Sequence, residues 1–198
     1  MLCNSFSLDS STLDGMRKHV FQYDVEICGY LHDKNTKETD THISLKIKRN
    51  SLVKGYTETY ILEDGTNKTR EACKSNTLFS TPYEYHSHPA SISKAYPSYE
   101  DINKIYKDDY KKVSVIATKW GLFVIKKPID FSNDNNNSYP KEPLTNILNT
   151  YFYTINRGRH ELPLPDKYLR RIHDGCEKLS EEIGLVIKFC YWKDLGFN

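Results

Sequence analysis

The stretches Tyr85-His86-Ser87-His88-Pro89 and Pro97-Ser98-Tyr99-Glu100-Asp101 contain the most informative pattern in this sequence. Side chains on a strand alternate between its two faces, so His86 and His88 project from the same face. Asp101 follows at the predicted start of a helix. Two imidazoles and one carboxylate leave one position of a tetrahedral metal open, as in catalytic zinc sites. Because no cysteine lies near either histidine to close that position, the pattern predicts a catalytic metal site.

Each part of this pattern also has a structural interpretation. Pairs of histidines one residue apart occur on solvent-exposed strands without any metal. Ser98 and Asp101 fit the first turn of a helix, where Ser98 caps the backbone and the carboxylate lies near the positive end of the helix dipole. A capping role does not prevent ligation, so both roles are expected for Asp101.

Four separate pieces, in the same order along the chain, resemble the JAMM (JAB/MPN+) metalloprotease family. They are Glu26 in the run Val25-Glu26-Ile27-Cys28-Gly29, then His86-Ser87-His88-Pro89, then Ser98 and Asp101. The resemblance covers roughly residues 13–127. The alternative for Glu26 is a strand-edge position that faces water.

The segment between His88 and Asp101 is longer than the family's usual spacing, which would place the ligand at Tyr99. Since Pro97 and Ser98 restore the expected helix start, we interpret the additional residues as a longer loop.

The resemblance implies an α/β (α+β) protein with an MPN-type, cytidine-deaminase-like fold, in which helices flank a central mixed β-sheet. It implies one zinc ion per chain, held by His86, His88 and Asp101. Glu26 would be the general base and then the general acid, and Ser98 would donate a hydrogen bond to the oxyanion. No histidine or cysteine for a second zinc follows Asp101 directly.

The implied activity is hydrolysis of isopeptide or peptide bonds, most specifically removal of ubiquitin or a ubiquitin-like protein from conjugates. Some family members need a partner subunit for activity. The alternative from another class is a catalytically inactive MPN scaffold that only binds proteins. A relative associated with nucleic acid is a further alternative. Replacement of Glu26 by Gln separates an enzyme from a scaffold, because only an enzyme loses turnover while it keeps binding.

Composition limits the function further. The 198 residues fit one domain with a sizeable core. With 28 basic and 26 acidic residues, the net charge of +2 does not indicate a nucleic-acid partner. Five cysteines at scattered positions predict neither a disulfide framework nor a zinc ribbon. Without a signal peptide or a membrane-span pattern, we expect a cytoplasmic or nucleocytoplasmic protein.

Hydrophobic periodicity predicts the secondary structure. We expect one domain, with residues 1–130 as the family core and residues 141–198 as a C-terminal extension of helices and a strand. Gly29 marks a close backbone approach, and Pro82 indicates a strand edge or a bend. The predicted strands are 25–32, 42–48, 56–62, 78–85, 113–118, 122–125 and 185–192, and the predicted helices are 9–22, 99–110, 144–155 and 166–183, with a polar loop at 130–143.

Overall fold

The computed structural model describes residues 6–33, 43–61, 63, 65–91, 94–133, 137–158 and 162–197. The strands are β1 (Phe6–Leu8), β2 (Ile27–Asp33), β3 (Ile43–Ile47), β4 (Val53–Lys54), β5 (Tyr56–Ile61), β6 (Asn67–Ala72), β7 (Tyr83–Ser87), β8 (Val113–Ala117), β9 (Gly121–Lys126) and β10 (Val186–Tyr191). The helices are α1 (Ser10–Gln22), α2 (Tyr99–Lys107), α3 (Lys141–Leu148), α4 (Thr154–Arg157) and α5 (Asp166–Ile183), and a π-helical turn (Asn149–Tyr153) joins α3 to α4.

Eight of the described strands form one mixed sheet, in the order β1-β3-β2-β7-β8-β9-β10, with β4 paired to β2. β7 lies antiparallel to β2 and parallel to β8. The segment that connects β7 to β8 contains α2, as expected for a crossover between parallel strands. β5 and β6 form a separate two-stranded hairpin between β4 and β7.

Alternation along the strands divides the apolar residues between two cores, one on each face of the sheet. Met16 and Val20 of α1 pack on one face, with Tyr83 and Tyr85 of β7. The opposite face packs against α2, α3, the π-helical turn and α5. The fold is therefore an α/β protein with a mixed sheet and helices on both faces, which confirms the coarse fold prediction.

Several predicted boundaries shift. The strand predicted at 25–32 begins at Ile27, so Glu26 lies just before β2. β7 is an inner strand that begins after Pro82, so the expectation of an edge there is wrong and that of a bend remains. The helix predicted at 99–110 ends at Lys107, and the helix predicted from 144 begins at Lys141. The sequence also predicts Asp166 as the cap of the last long helix, but Asp166 is the first residue of α5 and Pro165 occupies the N-cap position.

The close approach predicted at Gly29 is confirmed. A Cβ at this position would lie 2.9 Å from Leu52 Cδ2 and 3.0 Å from Ser51 Oγ. Any larger residue at position 29 would push the loop before β4 away from the sheet.

The prediction that the cysteines form no disulfide framework is wrong. Cys28 is bonded to Cys73 although 45 residues separate them, and Cys190 is also disulfide-bonded. The hairpin folds back so that Gly55 N–H donates to the carbonyl of Glu26 (2.6 Å), which brings the end of β6 beside β2.

In the part of the chain described by the structure, no helix combines the length and apolarity required to cross a bilayer. The many charged residues from Asp33 to Asp40 predict a turn, but this stretch lies outside the described residues apart from Asp33, as do His42 and His160.

Candidate metal centre

β7 supplies the two histidines and presents them toward α2. His86 lies in the strand, and His88 N–H donates to the carbonyl of Ala117 on β8 (2.8 Å), which extends the pairing of the two strands beyond Ser87. Because residues two apart share a face, His86 and His88 point to the opposite side from Tyr85, which packs in the α1 core. The predicted orientation of the pair is confirmed.

Asp101 reaches the same place from the first turn of α2. A capping box forms there: Ser98 Oγ accepts from Asp101 N–H (3.2 Å), and Asp101 Oδ2 accepts from Ser98 N–H (2.7 Å). One carboxylate oxygen therefore fixes the helix start, while the carboxylate as a whole faces the histidines. The capping role and the ligand position coexist in Asp101.

The donor atoms of the three side chains converge. His86 Nε2 lies 3.2 Å from His88 Nε2, and Asp101 Oδ1 and Oδ2 lie 3.1 Å and 3.5 Å from these two nitrogens respectively. Ligands bound at about 2.1 Å in tetrahedral geometry are about 3.4 Å apart. One donor atom from each residue can be chosen so that the three lie within 4.8 Å of one another, which is close enough for all three to bind one cation. Among the described residues, this is the one cluster of three or more such donors.

A hydrogen bond defines which nitrogen of His88 is available. His88 Nδ1 lies 2.8 Å from the carbonyl oxygen of Lys94, and a carbonyl can only accept, so Nδ1 carries the proton. The neutral ring then presents its lone pair at Nε2, toward His86 and Asp101. Two aromatic nitrogens and a carboxylate this close together favour a cation between them.

The electrostatics of the site agree with that conclusion. Burial alone would lower the pKa of His88, but Asp101, Glu26 and the Lys94 carbonyl outweigh burial and raise the pKa. Burial would likewise raise the pKa of Asp101, but His86 and His88 hold the pKa well below its usual range. The two carboxylates give the site a negative charge when the imidazoles are neutral, so a divalent cation would neutralise it.

Glu26 lies beside the cluster but outside it. Its Oε1 is 3.9 Å from His88 Nε2, and its side chain is 16% exposed. The backbone around Glu26 is held from two sides: Gly55 N–H donates to the Glu26 carbonyl, and Ile27 N–H donates to Ser87 Oγ (3.0 Å). The backbone contacts thus hold the Glu26 carboxylate beside the three donor side chains.

Two residues that help to place Glu26 have no clear sequence signal. From its place between the two histidines, Ser87 would be expected to act only as a spacer, but it is fully buried and accepts a hydrogen bond from Ile27 N–H. A Cβ on Gly55 would lie 3.0 Å from the Glu26 carbonyl oxygen and 3.2 Å from the Glu26 Cβ. Only glycine at position 55 therefore allows the hairpin to lie this close to Glu26. Both roles depend on contacts between distant segments.

A second ionic contact joins β7 to α2 next to the donors. Glu84, two residues before His86 and on the same face, accepts from Lys111 and lies 3.3 Å from Lys104 Nζ. Burial would raise the pKa of Glu84, but Lys104 and Lys111 outweigh it and lower the pKa. Lys104 is one helical turn beyond Asp101 on α2. The Glu84–Lys104 pair and the His86–Asp101 pair therefore both connect β7 to α2.

The remaining described histidines lie outside the donor cluster. His19 Nδ1 pairs with the Tyr85 hydroxyl (3.0 Å), His32 is exposed and His173 contacts the Phe189 ring. These positions fit the packing and surface roles that the sequence predicts for them.

Comparisons with family models, with curated proteins and with solved structures find no match for this chain. The similarity to JAMM proteins is therefore a resemblance of the motif residues alone.

Proposed function

We propose that this protein is a JAMM-type zinc metallopeptidase that hydrolyses isopeptide or peptide bonds and has an MPN-type, cytidine-deaminase-like fold. The observation that carries the proposal is the convergence of His86, His88 and Asp101 with donor atoms 3.1 to 3.5 Å apart. Glu26 lies 3.9 Å from His88 and outside that set.

The donor set suits zinc. Two imidazole nitrogens and one carboxylate oxygen are common zinc ligands, and three protein ligands leave a coordination position free for water or substrate. When bound, zinc would polarise a carbonyl group and make water acidic enough to be deprotonated near neutral pH. The longer loop between His88 and Asp101 is compatible with the site, since Asp101 still faces both histidines.

Glu26 would move the protons of the reaction. Its carboxylate would accept a proton from the attacking water and later deliver it to the leaving amine. The hydrogen bonds at Gly55 and Ser87 hold the backbone on both sides of Glu26, which limits how far the carboxylate can move.

Ser98 would stabilise the negative charge that develops on the substrate carbonyl oxygen. Its Oγ accepts a hydrogen bond from Asp101 N–H, and the hydroxyl proton remains available for donation. Ser98 is partly exposed next to Asp101, so a substrate can reach it.

Ubiquitin or ubiquitin-like conjugates are the proposed substrates. This half of the proposal is supported by the family resemblance of the motifs alone. The chemistry of the site requires only an amide carbonyl and an amine leaving group.

The zinc content of the purified protein tests the metal centre. We expect about one zinc per chain, and loss of the metal in His88→Ala and in Asp101→Ala. His32→Ala, which removes an exposed histidine outside the cluster, serves as the matched control and keeps its zinc. A native protein that binds no zinc after reconstitution contradicts the hydrolase and favours the scaffold.

Replacement of Glu26 by Gln tests the catalytic role. The amide keeps the size of the side chain but cannot accept the proton, so turnover of ubiquitin chains should fall by at least about 100-fold while zinc is retained. A chelator should abolish the activity of the native protein. Equal turnover in the native protein and in Glu26→Gln would exclude Glu26 as the general base.

A further inference from the structure

One peptide group in the loop between His88 and Asp101 contacts both His88 and the C-terminal helical segment. The carbonyl of Lys94 accepts from His88 Nδ1 (2.8 Å), and the N–H of Ala95 donates to Asn156 Oδ1 (3.1 Å). This carbonyl and this N–H belong to the same peptide unit, which is planar and rigid. Asn156 therefore fixes the orientation of the group that selects the tautomer of His88.

The next residue of the loop is held by the same helices. Tyr96 is 2% exposed, and its ring stacks on Phe152 (centroids 5.5 Å apart, planes at 19°) and on Trp120 (6.3 Å, 20°). Phe152 and Asn156 are four residues apart, so they lie on the same face of the helical segment. Two neighbouring loop residues thus meet two side chains of one helical face.

These contacts also strengthen one another. A hydrogen bond accepted by Asn156 from Ala95 polarises the peptide and makes the Lys94 carbonyl a better acceptor for His88. Partners that orient a metal-binding histidine in this way usually affect metal affinity. The alternative is a purely structural role, in which Asn156 only accepts a hydrogen bond from a backbone N–H of the loop. In that case loss of the Asn156 side chain would leave His88 unchanged.

We propose that Asn156, in the C-terminal extension, is a positioning residue for the metal ligand His88 and acts through the peptide of Lys94 and Ala95. The inference rests on the proposed function in so far as zinc is the metal. It assigns to residues 141–157 a role in the site, whereas the sequence gives this region no function.

Three variants test the proposal. Asn156→Ala removes the acceptor, Asn156→Asp retains an oxygen that can accept from Ala95, and Asn146→Ala removes an exposed asparagine of α3 as the matched control. Zinc affinity is measured by chelator competition. We expect affinity about 10-fold weaker in Asn156→Ala and close to the native value in the other two variants. The visible spectrum of the Co²⁺-loaded protein should change in Asn156→Ala alone.

A second measurement does not depend on the metal. The ¹⁵N shifts of the His88 ring in metal-free protein, at a pH where the imidazole is neutral, report which nitrogen is protonated. We expect the Nδ1–H form in the native protein and in Asn156→Asp, and a mixture of tautomers in Asn156→Ala. An unchanged tautomer and unchanged zinc affinity in Asn156→Ala overturn the proposal. A native protein without zinc affinity overturns the proposed function instead, while the tautomers still decide the role of Asn156.

Discussion

Two regions flank the candidate site, and different kinds of contact hold them there. The β5–β6 hairpin lies next to Glu26, and its described side chains belong to neither apolar core; Ile61 is 72% exposed. The C-terminal layer from α3 to α5 buries its apolar face against the sheet, and Phe152 within it is fully buried. The hairpin is joined to the site by a disulfide and a backbone hydrogen bond, the helical layer by aromatic packing and Asn156.

The difference indicates how each region supports the site. An isolated two-stranded hairpin is marginally stable in water, so the hairpin depends on its attachment at Cys73 and Gly55. The helical layer contributes to the core itself, so loss of its packing should affect the whole molecule. We expect changes in the helical layer to alter global stability and metal affinity, and changes in the hairpin to act locally near Glu26.

Phe152→Ala should have the largest effect. The ring contacts Tyr96 and Phe123, and its removal would leave a cavity in the core at a cost of about 3–5 kcal/mol in the free energy of unfolding. Zinc affinity should fall as well, because Tyr96 loses the ring stacking that holds the loop between His88 and Asp101 in place. Urea unfolding and chelator competition measure the two effects.

Ile61→Ala is the control for this prediction in the hairpin. The side chain is exposed, so its loss should change the free energy of unfolding by less than about 0.5 kcal/mol. Similar losses in both variants would show that the hairpin is part of the cooperative core and would remove the contrast between the two regions.

Cys73→Ser should have the next largest effect. The disulfide closes a loop across 45 residues, and chain entropy puts its contribution at about 2–4 kcal/mol. The three proposed metal ligands lie outside the hairpin, so zinc stoichiometry should stay unchanged while turnover falls because Glu26 is displaced. Urea unfolding of Cys73→Ser and of the native protein, both without reductant, measures the effect, and Cys176→Ala, at a free buried cysteine, is the control for the loss of a thiol. If Cys73→Ser is as stable as the native protein, this disulfide does not stabilise the fold.

The sequence predicts the parts of the site that depend on residue type and local periodicity. The alternation of His86 and His88 and the helix start at Ser98 are local features, and both are confirmed. Their convergence with Asp101 follows from the crossover between parallel strands, because α2 must return across the face that carries the histidines.

The parts that the sequence does not predict depend on contacts between distant segments. The Cys28–Cys73 bond depends on how the hairpin folds back over β2, which no spacing of cysteines indicates. Asn156 is one of many asparagines in a polar sequence, and only the packing of the helical segment on the loop distinguishes it. The boundary at Glu26 shifted because pairing with β4 and β7, rather than apolar character, determines where β2 begins.

The smallest effects should come from two glycines that share one backbone conformation. Gly184 (φ +70°) ends α5, and Gly65 (φ +80°) lies in the hairpin turn. A Cβ would meet no atom closer than 3.9 Å at Gly184 and none within 4 Å at Gly65, so replacement by alanine adds backbone strain without a clash. The left-handed conformation costs a residue with a Cβ about 1–2 kcal/mol.

At Gly184 this strain cannot be relieved without unwinding the end of α5, whose apolar face is buried, so Gly184→Ala should lower the free energy of global unfolding by about 1 kcal/mol or more. At Gly65 the turn can relieve the strain by local opening while the core remains folded. Gly65→Ala should therefore lower the free energy of global unfolding by less than about 0.5 kcal/mol. Hydrogen exchange separates the two cases: Gly184→Ala should speed exchange across the core strands, whereas Gly65→Ala should speed it in β5 and β6 alone. Equal losses of global stability in the two variants would mean that the hairpin unfolds together with the sheet, and the disulfide would then connect two parts of one cooperative unit.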